Sequence, residues 1–428
     1  MSEVSYKDFW ITTFLPFSAA MAAAGTLIPL FILTLGDVSD IGTLSALTSF
    51  VSLPLTFIWG KLTDDSGKRK IFILIGFISG FGILFGYFLA NSFLWLIILS
   101  VLSGLLLGAG DTAKKMYIYD TYPIDLWEEK ISKFHKLTGL GSCAGLFFGG
   151  IFQMFFQNYE LFFLICAIFC GLSAFLAYLI IREIPTDKTK YKIEKLPILN
   201  LDLPVFSSIY QPRKSIPYTG EKTEKGVEKH SKSLIILFLL AGFMFFLSST
   251  LTFTPLPAFI TSSGPTGLSI DPAWVFWIFL AYYGISVVGY IFAGNWIDKM
   301  GNRKILFVGL IVRTGVYAFF VVFAYLVTQG IVTLVGSTLV VVILLMFSGM
   351  SFSLMNVALQ NTIPHLIQEN LGELLALYSI VIGVSSIIGS FSSGFIAETY
   401  GYPWLFLLSV IFGIIAFLIY FISVKERG

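Results

Sequence analysis

The chain has 428 residues, of which 56% are hydrophobic and 12% charged, with a formal net charge of +2. Such a composition cannot be arranged as a soluble surface around one core, so lipid has to be the solvent for much of it. The small net charge gives no reason to expect a nucleic-acid partner.

A hydrocarbon layer about 30 Å thick needs about 20 apolar residues per helix. Twelve segments reach that length, near 9–35, 40–60, 70–90, 93–118, 137–156, 160–182, 234–260, 273–294, 304–326, 331–359, 370–398 and 402–424. They are numbered here as spans 1 to 12. Of the 27 Lys and Arg residues, none falls in the odd-numbered connections, and all but Arg313 lie at the termini, in the even-numbered connections or at helix ends beside them. That asymmetry predicts a multi-pass protein of the cell membrane with both termini and the long middle loop in the cytoplasm. Span 1 is too long, and too weakly preceded by basic residues, for a secretory signal, so it is read as a retained helix. Pro16, Pro29, Pro54, Pro255 and Pro257 fit within spans because neighbouring helices can satisfy freed backbone groups.

Between spans 2 and 3 the chain carries Gly60, Asp64, Gly67, Arg69 and Lys70, and the same residues return at the same spacing between spans 8 and 9 as Gly294, Asp298, Gly301, Arg303 and Lys304. Gly60 and Gly67 are expected to let the chain leave one helix and turn into the next, with Lys68, Arg69 and Lys70 meeting the headgroups. Orientation explains the bases. It does not explain a repeated Asp, since acidic residues contribute little to topology.

In span 4, Asp111, Lys114 and Lys115 fall at i, i+3 and i+4, where a carboxylate can pair with an ammonium on one face. A charge at a helix centre costs at least about 2.5–3.5 kcal/mol, which marks the cluster as a candidate for substrate binding or coupling. The alternative is a self-neutralised pair with lysines snorkelling at the mouth of the bundle. Gly108 to Asp120-Thr121-Tyr122-Pro123 recurs in span 10 as Gly349 to Asn361-Thr362-Ile363-Pro364. In span 5, Gly141, Gly145, Gly149 and Gly150 lie close to four-residue spacing, which suits close approach of another helix, with a weaker echo at Gly383, Gly389 and Gly394 in span 11. Cys143, Cys166 and Cys170 have no metal-ligand spacing and read as packing residues.

The stretch from Arg182 to Lys232 holds eleven basic and seven acidic residues and reads as a linker. Arg313 in span 9 has Ser79 as its repeat-equivalent, so it is not part of a shared scaffold; a snorkelling or inter-helix structural role is expected. His135 and His365 belong near the basic ends and His230 in the linker, which argues against a His proton relay.

The two charged copies resemble the loop 2–3 signature of the major facilitator superfamily, G-x-x-x-D-x-x-G-R/K-R/K, and the parallels in spans 4, 5, 10 and 11 extend the resemblance across nearly the whole chain. The resemblance implies an all-α polytopic membrane protein with twelve transmembrane helices in two pseudo-symmetric six-helix bundles, residues 1–183 and 234–428, joined by a cytoplasmic linker at 184–233. It further implies that Gly60, Asp64, Gly67 and Arg69, with Gly294, Asp298, Gly301 and Arg303, form a gating motif. In that motif Asp64 would face the start of span 11 near Leu371, and Asp298 the start of span 5 near Leu137. Spans 1, 4, 7 and 10 would line a central cavity, giving as substrate or coupling candidates Thr26, Asp111, Lys114, Lys115, Ser249, Asn356 and Gln360. Tyr282 and Tyr283 would join them from flanking span 8. Leu146 stands where the superfamily's antiporter pattern has Pro, and Gly104 where drug–proton antiporters usually carry Arg, which weakens an antiport assignment.

The expected function is secondary active transport of a small organic solute by alternating access, coupled to protons, with a multidrug-type efflux transporter or a non-transporting solute sensor as the alternatives. No P-loop signature is present, so a gradient is expected to supply the driving force. Without clustered His, Cys or carboxylates in the spans, neither metal, cofactor nor enzymatic activity is expected. The expected partners are the lipid bilayer, the solute and protons; no obligate protein partner is evident.

Overall fold

A computed structural model describes residues 8–122, 126–183, 232–263, 267–331, 334–366 and 371–425, with only the backbone described at 64, 112, 115, 119, 127–129, 232–234, 298, 334–335, 360–361, 363–366, 371–376 and 423–425. The linker expectation therefore falls almost wholly outside the described residues. Among the described residues twelve helical spans are long and apolar enough to cross a membrane: Phe9–Leu35, Val38–Thr63, Arg69–Phe88, Phe93–Ile118, Lys130–Phe156, Tyr159–Ile180, Ile235–Thr261, Pro272–Ile297, Asn302–Thr328, Gly336–Leu359, Leu377–Thr399 and Tyr402–Ile422. They form two six-helix bundles. In the first, span 3 packs on span 6 and span 1 on spans 5 and 6; in the second, span 9 packs on span 12 and span 7 on spans 11 and 12. The bundles meet along two seams, span 2 against span 11 and span 5 against span 8.

Small residues make those seams possible. A Cβ at Gly145 would fall 2.0 Å from the Ala19 carbonyl oxygen of span 1, and one at Gly149 would fall 2.5 Å from the Phe276 ring of span 8. Span 5 thus uses the same glycine stripe for close approach inside its own bundle and across the seam. Span 11 repeats the device, with Gly389 against Thr250 of span 7 and Gly394 against Ser39 of span 2. At the end of the second seam the Glu398 carboxylate accepts the Ser39 backbone N–H at 2.9 Å, a carboxylate placed at a helix N-terminus.

Even-numbered crossings put both ends of the chain and the two charged signatures on one side, the basic face. The apolar cores divide by depth. Towards the opposite face two clusters mix the bundles: Ala258 and Phe276 lie among residues of spans 1 to 6, and Leu30 lies among residues of spans 7 to 12. Towards the basic face each bundle has its own cluster, one built around Trp10, Phe77 and Phe134, the other around Phe245, Ile305 and Met355. Among the described residues the bundles therefore share a core on one side only.

Three local expectations need correction. The helix containing span 2 runs Val38–Ser66, straight through Gly60, and that of span 8 runs Pro272–Met300, through Gly294. A helix-interior Gly costs about 1 kcal/mol, which the surrounding turns absorb without a break. The turn is made by Gly67 and Gly301 alone, with φ of +66° and +81°, a region that favours a residue without Cβ. Secondly, span 7 is not continuous: it stops at Phe253 and resumes at Leu256. Pro255 and Pro257 cannot donate backbone hydrogen bonds, and Pro rings clash with the preceding turn. The chain after the short second piece folds back on it, with Leu268 N–H donating to Phe259 O at 2.9 Å and Ile270 N–H to Ile260 O at 3.0 Å. Thirdly, span 4 divides at Leu107 into Phe93–Leu106 and Gly108–Thr121.

Candidate transport and gating site

The first signature is anchored by its arginine. Arg69 is fully buried, where headgroup contact was expected. Its Nε donates to Asp120 Oδ2 at 2.9 Å and its Nη1 to the Thr63 carbonyl at 2.6 Å. One guanidinium thereby joins the end of span 2, the start of span 3 and the end of span 4. Its planar fork allows this, whereas a lysine offers a single point charge. The flanking bases behave differently: Lys68 is exposed, and Lys70 Nζ donates to the Tyr178 carbonyl at 2.7 Å. In the second signature Arg303 is exposed, and Asn361 stands at the position equivalent to Asp120. The side chains of Asp64 and Asp298 lie outside the described residues, as does that of Leu371.

A second polar cluster lies beside the first signature on the basic face. Asp8, almost fully buried, accepts from Tyr122 Oη at 2.7 Å, Lys130 Nζ at 3.0 Å and Lys133 Nζ at 2.7 Å. Trp10 Nε1 donates to the Tyr122 hydroxyl at 3.1 Å. Burial raises the proton affinity of the Asp8 carboxyl, but the hydrogen bonds from Lys133, Tyr122 and Lys130 outweigh it and hold the group below the usual carboxylate range. In sequence Lys130 and Lys133 are indistinguishable from orientation charges; their i, i+3 spacing on one helix face was the available signal.

In span 4, Lys114 pairs with Asp111, as the spacing predicts, and its Nζ lies 5.7 Å from the centre of the Phe134 ring of span 5. The Asp111 side chain is 65% exposed against 23% for Lys114, so the acid is the accessible member of the pair. The Lys115 side chain lies outside the described residues.

The remaining cavity candidates separate into two groups. Thr26 is buried and its hydroxyl donates to Ala22 O of its own helix at 3.1 Å, which corrects its assignment to the lining: a hydroxyl in a membrane helix satisfies itself on the preceding turn. The part-buried tyrosines are different. Tyr282 and Tyr283 meet edge to face at 5.4 Å, Tyr282 packing on the second bundle's core and Tyr283 on the first's. Tyr290 accepts from Asn356 Nδ2 at 2.9 Å and stacks on His135 of span 5 at 6.1 Å. These three rings therefore line the seam between bundles, together with Asn356. Ser249 accepts from the Tyr317 hydroxyl at 3.2 Å, and Gln360's side chain lies outside the described residues. Among the described residues no group of three or more His, Cys, Asp or Glu is placed to hold a metal.

Two six-helix bundles that meet along two seams and share core residues towards one face define a polytopic helical membrane protein. The sequence model of the Major Facilitator Superfamily matches residues 9–333 and 238–428, and the chain belongs to that superfamily. A crystal structure of the nucleoside transporter NupG aligns with a TM-score of 0.67 at 13% identity, covering 98% of this chain and 99% of that one; the likeness is one of fold. No curated protein matches the chain. It is accordingly a secondary transporter of small solutes embedded in a membrane.

Proposed function

We propose that the protein moves a small organic solute across the cell membrane by alternating access, coupled to protons, with its basic face in the cytoplasm. The observation that carries this reading is the division of the cores: they are shared between bundles near one face and separate near the other. Such an arrangement lets the basic side part without exposing either bundle's own core, which is the geometry of a carrier open towards that side. The two bundles are taken as residues 1–183 and 234–428, with 184–233 as the tether. The proton-sensitive step is assigned to Asp111, whose protonation would release a neighbouring lysine to an anionic partner. Asp64 and Asp298 are assigned to closure of the basic side.

Flux into proteoliposomes under an imposed pH gradient tests this. Gradient-driven accumulation is expected in the wild type and its loss in Asp111→Asn and Lys115→Ala. Wild-type accumulation in both variants would remove the cluster from coupling. Solute binding without flux in any variant would identify a sensor instead.

A further inference from the structure

Arg313 lies eleven residues beyond Asn302, the start of span 9, and so about 16 Å along the helix from the basic face. Of the two roles expected for it, snorkelling and inter-helix, only the second is compatible with its place there. Arg313 is 3% exposed, and it points inward, towards spans 7, 8 and 10. Its Nε donates to the Tyr317 hydroxyl at 2.6 Å and its Nη1 to the Ser348 carbonyl at 3.4 Å. The rings of Phe245, Phe253, Tyr317 and Phe352 surround the guanidinium, with centres 5.4, 5.0, 5.8 and 5.1 Å away. Every one of these partners is neutral.

Among the described residues no carboxylate of the same bundle pairs with it. Within the helical stretches long and apolar enough to cross a membrane, the second bundle's sequence contains a single acidic residue, Glu398, and it is held at the far end of span 11 by Ser39. Aromatic faces contribute about 0.5–2 kcal/mol each to a cation, against an effective cost of several kcal/mol for removing a full charge from water, and none of them neutralises it. The cage therefore softens the penalty and leaves the positive charge in place. The wall around it is thin on one side. Phe253, Tyr282 and Phe352 are only part-buried, Tyr282 interacts electrostatically with Arg313, and its neighbour Tyr283 already touches the first bundle. One layer of aromatic side chains separates the guanidinium from the seam where the bundles meet.

We propose that Arg313 is the anchoring charge for the carboxylate of a small organic acid, whose apolar or aromatic body packs against Phe253, Tyr282 and Phe352. A guanidinium presents two parallel N–H donors to a carboxylate, and the surrounding rings suit a flat apolar body. Its repeat-equivalent is Ser79, so the charge sits in one bundle only, as a ligand-selecting feature would. The proposal rests on the transporter reading for its access route from the seam.

Thermal unfolding of the purified full-length protein is measured with acetate, benzoate and 1-naphthoate, and with benzamide and chloride at matched ionic strength. Benzoate or 1-naphthoate should raise the midpoint in a concentration-dependent way, with benzamide and chloride leaving it unchanged. Arg313→Gln should abolish the rise, and Arg313→Lys should weaken apparent affinity at least about ten-fold because the two-donor geometry is lost. The proposal is overturned if no carboxylate stabilises the wild type, if chloride gives the same rise, or if Arg313→Gln responds like the wild type. Should Arg313→Gln not fold, unchanged affinity in Arg313→Lys overturns it. Carboxylate stabilisation that depends on Arg313, found without flux in proteoliposomes, would support the site and retire the transporter reading; flux of these acids that is indifferent to Arg313 would do the reverse.

Discussion

The two charged signatures share their sequence and differ in what holds them. In the first, Arg69 is fully buried and bonded to Asp120; in the second, Arg303 is exposed and the position of Asp120 is taken by Asn361. Both turns nevertheless use a positive-φ glycine whose N–H returns to the preceding helix, Gly67 to Thr63 O at 3.1 Å and Gly301 to Ile297 O at 2.7 Å, although Gly67 is left-handed helical (ψ +9°) and Gly301 extended (ψ +151°). Duplication has preserved the backbone device in both halves and the buried ion pair in one. A motif residue can thus carry different physics in two copies, depending on whether the partner helix supplies a carboxylate.

The strongest way to break this comparison is to write the second copy into the first. Asp120→Asn removes the carboxylate from a buried guanidinium and should cost about 3–5 kcal/mol, the range for breaking a buried pair, whereas Arg303→Gln should stay within about 0.5 kcal/mol. Thermal unfolding of the purified variants compares them, and equal losses would show the copies to be equivalent. A middling effect, present in both halves, is expected for the glycines. Gly67→Ala places a Cβ in the left-handed helical region, at about 1–2 kcal/mol, and Gly301→Ala places one in a positive-φ extended region, at about 1–3 kcal/mol; a loss in only one would mean that the turns are not the shared element.

The smallest effect concerns pH. Asp8 is held below its ordinary range, so its contribution to stability is complete above about pH 5 and fades as pH falls through the ordinary Asp value near 3.9 towards the lower folded one. Comparing the wild type with Asp8→Asn from pH 8 to 3 should give parallel stabilities down to about pH 5 and convergence below it. Convergence already at neutral pH would place the Asp8 cluster outside the anchored face.

Legibility in the sequence followed the length scale of the physics. Span number and order were readable because bilayer thickness fixes how many apolar residues a helix needs, and the repeat was readable because Gly, Asp, Gly and Arg sit at constant spacing. The glycine stripe of span 5 was likewise readable as a packing face. What could not be read depends on contacts between residues far apart in the chain. Arg69 meets Asp120 across 51 positions and Asp8 meets Lys130 across 122, and nothing local distinguishes these bases from those that merely orient the chain. For Arg313 the sequence leaves snorkelling and inter-helix roles open, for a related reason. Its helix is peripheral, but the side chain reaches inward because Tyr317, one turn later, and the Ser348 carbonyl receive it there. The break in span 7 was a matter of degree, since one proline can be tolerated where two in close succession stop the helix.

The ion pairs that the described residues of the first bundle make on its basic face are internal to it: Arg69 with Asp120, and Asp8 with Lys130 and Lys133, Tyr122 adding a hydrogen bond to Asp8. A chain made from its amino end delivers these partners before any residue of the second bundle exists, and earlier segments generally fold first during synthesis. The first six spans can therefore neutralise their buried charges while the ribosome is still working on the rest. The exposed Arg303 asks for no such early partner, so the later half can dock onto a neighbour whose own ion pairs are already closed.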